Sequence, residues 1–272
     1  MQIDSILACL LKKGTSECFY RFSNADGKTW IMPARNMRVA MNLYQPSGRK
    51  GRLVKTLFPW LHGLSFVRRV IHAEKLHCKL SDELEQLLCR LFREEKIEFS
   101  IFGGTPCVHQ KVTVQISKGH RILGYCKVSA SNEVADLFRS EAGLLEVLKR
   151  QKMSGIPRSL YCGEMTEGIS LFVQSTEKTQ QSKVLHEWSN LHELFLNELH
   201  RKTVQNIIFE NSDYYKTLYG LQAHLDWLPE FMSRNVIENT INKTINSYKG
   251  KNVDFSAYHA DFTPWNMFVE KN

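Results

Sequence analysis

Three residues near the carboxyl end have types and spacing suited to phosphoryl transfer: His259, Asp261 and Asn266, within His259-Ala260-Asp261-Phe262-Thr263-Pro264-Trp265-Asn266. Transfer to a hydroxyl needs a carboxylate within hydrogen-bond reach of the acceptor oxygen. It also needs a neutral oxygen ligand that holds Mg2+ on the nucleotide phosphates. Asp261 and Asn266 supply those two groups. Pro264 and Trp265 stiffen the loop between them and fix their separation. The same spacing also suits a turn in which Asp261 and Asn266 bond only to backbone.

A second group lies upstream. Lys127 ends a run of buried-type residues, Gly124-Tyr125-Cys126-Lys127-Val128. In the helix expected over 133–150, Val134, Leu137, Phe138, Leu145 and Leu148 make an apolar stripe, and Glu141 falls on it. A carboxylate carried inward needs a cation, because an unpaired buried charge is costly, and Lys127 is the nearest candidate in sequence. Such a pair orients the ammonium toward nucleotide phosphates. The alternative is that Glu141 sits solvated at the rim of the stripe. Further upstream, Gly103-Gly104-Thr105-Pro106 separates two expected strands. Paired glycines let backbone N–H groups approach phosphate, although an ordinary hairpin turn explains them equally well. Cys107 and His109 have no matching ligand cluster and read as structural.

These groups must be positioned by a mixed α+β fold. Residues 97–102, 111–116 and 122–128 read as a three-stranded antiparallel meander. A helix capped at Asn132 follows, then a strand at 169–174 and a polar linker from Ser175 to Ser182. From residue 183 the pattern is helical, with stripes Leu185-Trp188-Leu191-Phe195-Leu199 and Tyr215-Leu218-Leu221-Leu225-Leu228. Short extended pieces at 254–259 and 267–269 flank the Asp261 loop. Three regions result: 1–96, 97–180 and 181–272. The first mixes short β-like pieces such as Thr29–Met32 with a helix starting at Ser81.

Composition narrows the functional classes. The chain has 272 residues, 43% hydrophobic and 24% charged, which excludes wholesale disorder. The most apolar stretch free of charge, Thr56 to Val67, is 12 residues long and contains Pro59, too short to cross a bilayer. The apolar run Ile6–Leu11 has Asp4 before it and Lys12-Lys13 after it, the reverse of a secretory signal. Seven scattered cysteines without a C-x-x-C pair suggest no disulfide framework, and a reducing cytoplasm is the expected location. The net charge of +8 is concentrated in residues 1–80, where 14 Lys and Arg face 4 Asp and Glu. Arg49, Lys50, Arg52, Lys55, Arg68 and Arg69 suit an anionic surface, namely nucleic acid, anionic lipid or a phosphorylated substrate, or simply a solvated basic face. No specific nucleic-acid motif accompanies them.

The serial order of glycine turn, strand Lys, helix Glu, linker, helices and H-x-D-x-x-x-x-N resembles the protein-kinase-like fold, closest to the aminoglycoside and choline phosphotransferase branch. The resemblance covers about residues 97–272. It implies a two-lobed fold, with an antiparallel-sheet N-lobe over 97–180, a helical C-lobe from 181 and an added basic module over 1–96. It further implies ATP and Mg2+ as cofactors and a small-molecule hydroxyl, sugar-like or amino-alcohol, as acceptor. In this scheme Asp261 is the catalytic base, His259 braces the loop and Asn266 is a metal ligand. Lys127 with Glu141 binds phosphate, Gly103, Gly104 and Thr105 cover the nucleotide, and Ser175–Gln180 is the hinge. The family's second acidic metal ligand and closing helices have no counterpart before the chain ends six residues past Asn266. The expectation is a truncated product whose strand at 267–269 lacks its partner and whose activity is reduced. The competing expectation is a non-catalytic, pseudokinase-like binding module that uses its basic first third.

Overall fold

The computed structural model describes residues 3–46, 48–107, 109–166, 168–179, 181–185, 187–258, 262–263 and 266–269. His259 and Asp261 therefore lie outside the described residues. The fold is α+β, and the chain divides into two compact units, one of residues 1–185 and 267–272 and the other of residues 186–266.

In the first unit the elements run α1 (Ile3–Leu10), β1 (Leu11–Ser23), β2 (Thr29–Pro33), α2 (Met37–Ala40), α3 (Arg49–Leu61), α4 (Ser65–Val70), β3 (Glu74–Leu80) and α5 (Asp82–Phe92). They continue as β4 (Glu98–Phe102), β5 (Val112–Lys118), β6 (Arg121–Ser129), α6 (Asn132–Arg150), β7 (Ser159–Thr166), β8 (Ile169–Ser175) and β9 (Lys183–Val184). Strands β1 to β8 form one antiparallel sheet in the order β3-β1-β2-β4-β5-β6-β8-β7. The expected boundary at residue 96 thus falls inside a continuous sheet, where β2 of the first region pairs with β4 of the second (Ile31 opposite Ile101). The first 96 residues are part of this unit and do not stand apart as a separate module.

The period of two along each strand sorts side chains onto two faces. One face sends Phe19, Ile31, Phe99, Val114, Cys126, Val128, Leu171 and Val173 into a core closed by Ile6, Leu7 and Leu10 of α1 and Leu84 and Leu88 of α5. The amino-terminal apolar run is therefore a core helix. The opposite face is covered in two blocks. Tyr20, Phe22, Trp30 and Met32 pack under Met37, Ala40, Met41 and Phe58, from α2, the turn after it and α3. Phe172 packs under Val134, Phe138 and Leu145 of α6. Ser131 caps α6, its hydroxyl accepting the Val134 N–H, one residue before the expected cap at Asn132.

The second unit contains α7 (Asn190–Thr203), β10 (Gln205–Ile208), α8 (Asp213–Ala223), α9 (Arg234–Tyr248) and β11 (Asn252–Phe255). Strands β10 and β11 pair antiparallel, and the fully buried Phe209 gathers Tyr214, Tyr215 and Tyr248 around it. The inward stripe of α7 is His192, Phe195 and Leu199, and the expected Leu191 faces solvent. The chain then re-enters the first unit as β12 (Phe268–Val269). The strand expected to be an unpaired edge has a partner, because Phe268 lies opposite Val184 and Val269 opposite Lys183. The Leu185 N–H donates to the Met267 carbonyl beside that pairing. Among the described residues no helix is long and apolar enough to cross a membrane.

Candidate functional site

Lys127 lies on β6, opposite Thr113 of β5 and Phe172 of β8. Its neighbours Cys126 and Val128 point into the α1–α5 core, so Lys127 points to the face that α6 covers. Its Nζ donates to both oxygens of Glu141, at 2.6 and 2.8 Å, and lies 5.2 Å from the centre of the Phe172 ring. Glu141 thus has the partner its position calls for. The stripe is narrower than the spacing alone suggests, since Val134, Phe138, Leu145 and Leu148 are buried while Leu137 is exposed.

Desolvation and neighbouring charges set the electrostatics around the pair. Burial pushes the Lys127 ammonium below the ordinary lysine range, the Glu141 charge opposes that shift and the Lys111 ammonium adds to it. A second cation, Lys111, thus lies near enough to be felt by Lys127, while Glu141 pairs with Lys127. The low-dielectric wall supplied by Phe172 lets the charges of the pair act with little screening. On the same face, Tyr125 has its phenol pushed up to about 12 by burial, so it stays neutral. Opposite Tyr125, Gln115 is fully buried, and its side-chain amide donates to the Val39 carbonyl of α2 at 3.0 Å. The sheet face next to Lys127 is therefore already occupied by α2.

The glycine turn has a structural explanation. Gly104 has φ 77°, and a Cβ there would collide with the Lys111 carbonyl oxygen, so only glycine lets the turn fold back on β5. The Gly103 N–H donates to the Thr29 carbonyl at 2.8 Å, and the Gly103 carbonyl accepts from the Gln110 side chain at 2.9 Å. Gly103 therefore has no amide to offer a phosphate, which corrects its expected role in covering a nucleotide. Thr105 is exposed. The turn still matters here, because Gln110 and the exposed Lys111 follow directly from it.

In the second unit the described part of the Asp261 loop is anchored by aromatic contacts. Phe262 stacks on Phe195 at 5.5 Å between ring centres and meets Trp188 and His192 edge-on at 5.9 and 5.8 Å. His192 is fully buried and forms a reciprocal cap with Ser189 at the start of α7. Neither this clamp nor Lys111 was found from sequence. The aromatic spacing of Trp188, His192 and Phe195 was the available signal for the clamp. Asn266 is exposed, and its backbone N–H donates to the Thr263 carbonyl at 2.9 Å, closing a turn. Among the described residues no group of three or more His, Cys, Asp or Glu is placed to hold a metal ion. Set against known protein families, curated proteins and solved structures, the chain matches none of them.

Proposed function

We propose that this protein is an ATP-dependent phosphotransferase of protein-kinase-like, two-lobed architecture that acts on a hydroxyl of a small molecule, sugar-like or amino-alcohol. The observation that carries this reading is the bidentate contact between Lys127 and Glu141, made by a strand and the helix that follows it. A strand lysine held by a helix glutamate is how protein kinases aim an ammonium at nucleotide phosphates. The strand order β4-β5-β6-β8-β7 adds support, since it puts Lys127 in the middle of a five-strand set with α6 packed beside it. Lys127 with Lys111 would hold phosphate oxygens. Asp261 would orient the acceptor hydroxyl and take its proton, with His259 bracing the loop, and Asn266 would offer a neutral oxygen to Mg2+. ATP supplies the transferred phosphoryl group. The segment from Ser175 to Gln180 would serve as the hinge beside the base.

The test is Asp261→Ala in the full chain, with ATP turnover measured over a panel of sugars and amino alcohols. The expected result is a loss of about a thousandfold, with Mg-ATP still raising the melting temperature. Unchanged turnover would overturn the reading.

A second reading, a non-catalytic pseudokinase-like module, is favoured by one observation. Residues 27–73 contain nine Lys and Arg and no Asp or Glu, so residues 49–69 would contact an anionic partner. It gains if Mg-ATP leaves the melting temperature unchanged while a polyanion binds with a steep salt dependence.

A further inference from the structure

Helix α3 carries two apolar stripes where one would attach it. Val54 and Phe58 face the sheet and complete the Tyr20–Phe22–Trp30 core. Gly51 lies on the same side, and a Cβ there would strike Pro46, so the helix is pressed close to its support. Leu53, Leu57 and Trp60, at spacings of four and three, make a second stripe that points outward. Leu64, Phe66 and Val70, on and just before α4, are exposed as well. These six residues are between 42% and 74% exposed.

The cations divide in a way that matters. Arg68 is used internally, donating to the His62 and Gly63 carbonyls at 2.7 Å and lying over the Tyr20 ring, so it fixes the turn between the two helices. Lys55 donates to Gln45. Arg49, Lys50, Arg52 and Arg69 are exposed, and the segment around them has no carboxylate with which to pair. On the helix Arg49 and Lys50 flank the outward stripe, with Arg52 one turn before Thr56. Arg38 lies 4.8 Å from the centre of the Trp60 ring.

We infer that the α3–α4 face is a docking surface for an anionic lipid bilayer, lying on the membrane with Leu53, Leu57, Trp60, Leu64, Phe66 and Val70 sunk into the interface. A nucleic acid or a phosphorylated small molecule would use the cations but leaves the exposed leucine, valine and phenylalanine side chains without a role. An anionic bilayer uses both, since headgroups meet the cations while acyl chains receive the apolar side chains. The inference deepens the reading of the basic third as an anion-contacting surface, and it stands whether or not the nucleotide site works.

The experiment is co-sedimentation of the full chain with phosphatidylcholine vesicles, with and without about one-third phosphatidylglycerol. In the same samples tryptophan emission is followed with brominated acyl chains as quencher. Binding should be at least about tenfold tighter to the anionic vesicles, and Trp60→Phe should remove most of the quenching while binding persists. The variants Leu57→Ser/Phe66→Ser and Arg49→Gln/Lys50→Gln/Arg52→Gln should each weaken binding, and being at exposed positions they should leave the melting temperature unchanged. If the chain ignores anionic vesicles but binds single-stranded RNA, the bilayer inference falls and anion contact survives; if it binds neither, both fall. Vesicle binding without quenching, unaffected by the apolar variant, would also overturn the inference.

Discussion

Two cation-rich regions of the first unit behave in opposite ways. Around Lys127 the ammonium is largely withdrawn from water, set against a buried ring and held by both oxygens of one carboxylate. On α3 and α4, Arg49, Lys50, Arg52 and Arg69 are exposed in a segment with no acid at all. A desolvated, paired cation has a fixed direction and can position a small anion. Exposed, unpaired cations keep their hydration and mobility and suit an extended anionic surface whose charges need not be matched one by one. Net charge alone hides this distinction.

The comparison breaks first at Phe172, whose ring forms both the wall behind Lys127 and the seat of α6. Phe172→Ala should cost about 3–5 kcal/mol, read as a lowered denaturant midpoint, because a large cavity opens between β8 and α6. Lys127→Met sharpens the contrast. It should lower phosphotransfer about a hundredfold, or about 2.7 kcal/mol at the transition state, whereas Arg49→Gln/Lys50→Gln/Arg52→Gln leaves turnover unchanged. Equal losses in the two variants would erase the distinction.

Lys55 lies between the two cases. It is on α3, yet burial and the nearby Lys178 ammonium lower its pKa to about 8. The folded state therefore disfavours its charged form. That destabilisation is fully present below about pH 8 and fades as pH rises toward the unfolded value near 10.5. Lys55→Met should raise the melting temperature by on the order of 1–2 °C at pH 7, and the gain should disappear by about pH 10.5. A gain independent of pH would point to packing alone. The smallest effect belongs to Asp82, whose carboxylate is held down to about 2 by Lys12 and Lys79. It is fully exposed, so Asp82→Asn should leave the melting temperature unchanged at pH 7.

What sequence could reveal follows the range of the interactions involved. The meander β4–β5–β6 and helix α6 are local patterns, and the Lys127–Glu141 pair was legible because a carboxylate on an apolar stripe demands a cation. The joining of residues 1–96 to the same sheet was not legible. Strand β1 pairs with β3 across an intervening hairpin and three helices, and its Lys12, Lys13 and Arg21 interrupt the apolar alternation that marks a strand. The partner of β12 was hidden for the same reason, since Val184 lies far upstream of Phe268. The use of Gly103 is open at the level of sequence because a glycine pair looks alike whether it approaches phosphate or its own backbone. Only the committed Thr29 contact separates the two.

The pairing of β9 with β12 has a topological consequence. The chain leaves the first unit just after Val184 and returns just before Phe268, and these two residues are cross-strand neighbours. Residues 186–266 are in effect an inserted cassette whose entrance and exit adjoin. A short glycine–serine bridge in place of the cassette would span the gap between β9 and β12 without severing any strand of the large sheet, which makes the two units separable by protein engineering.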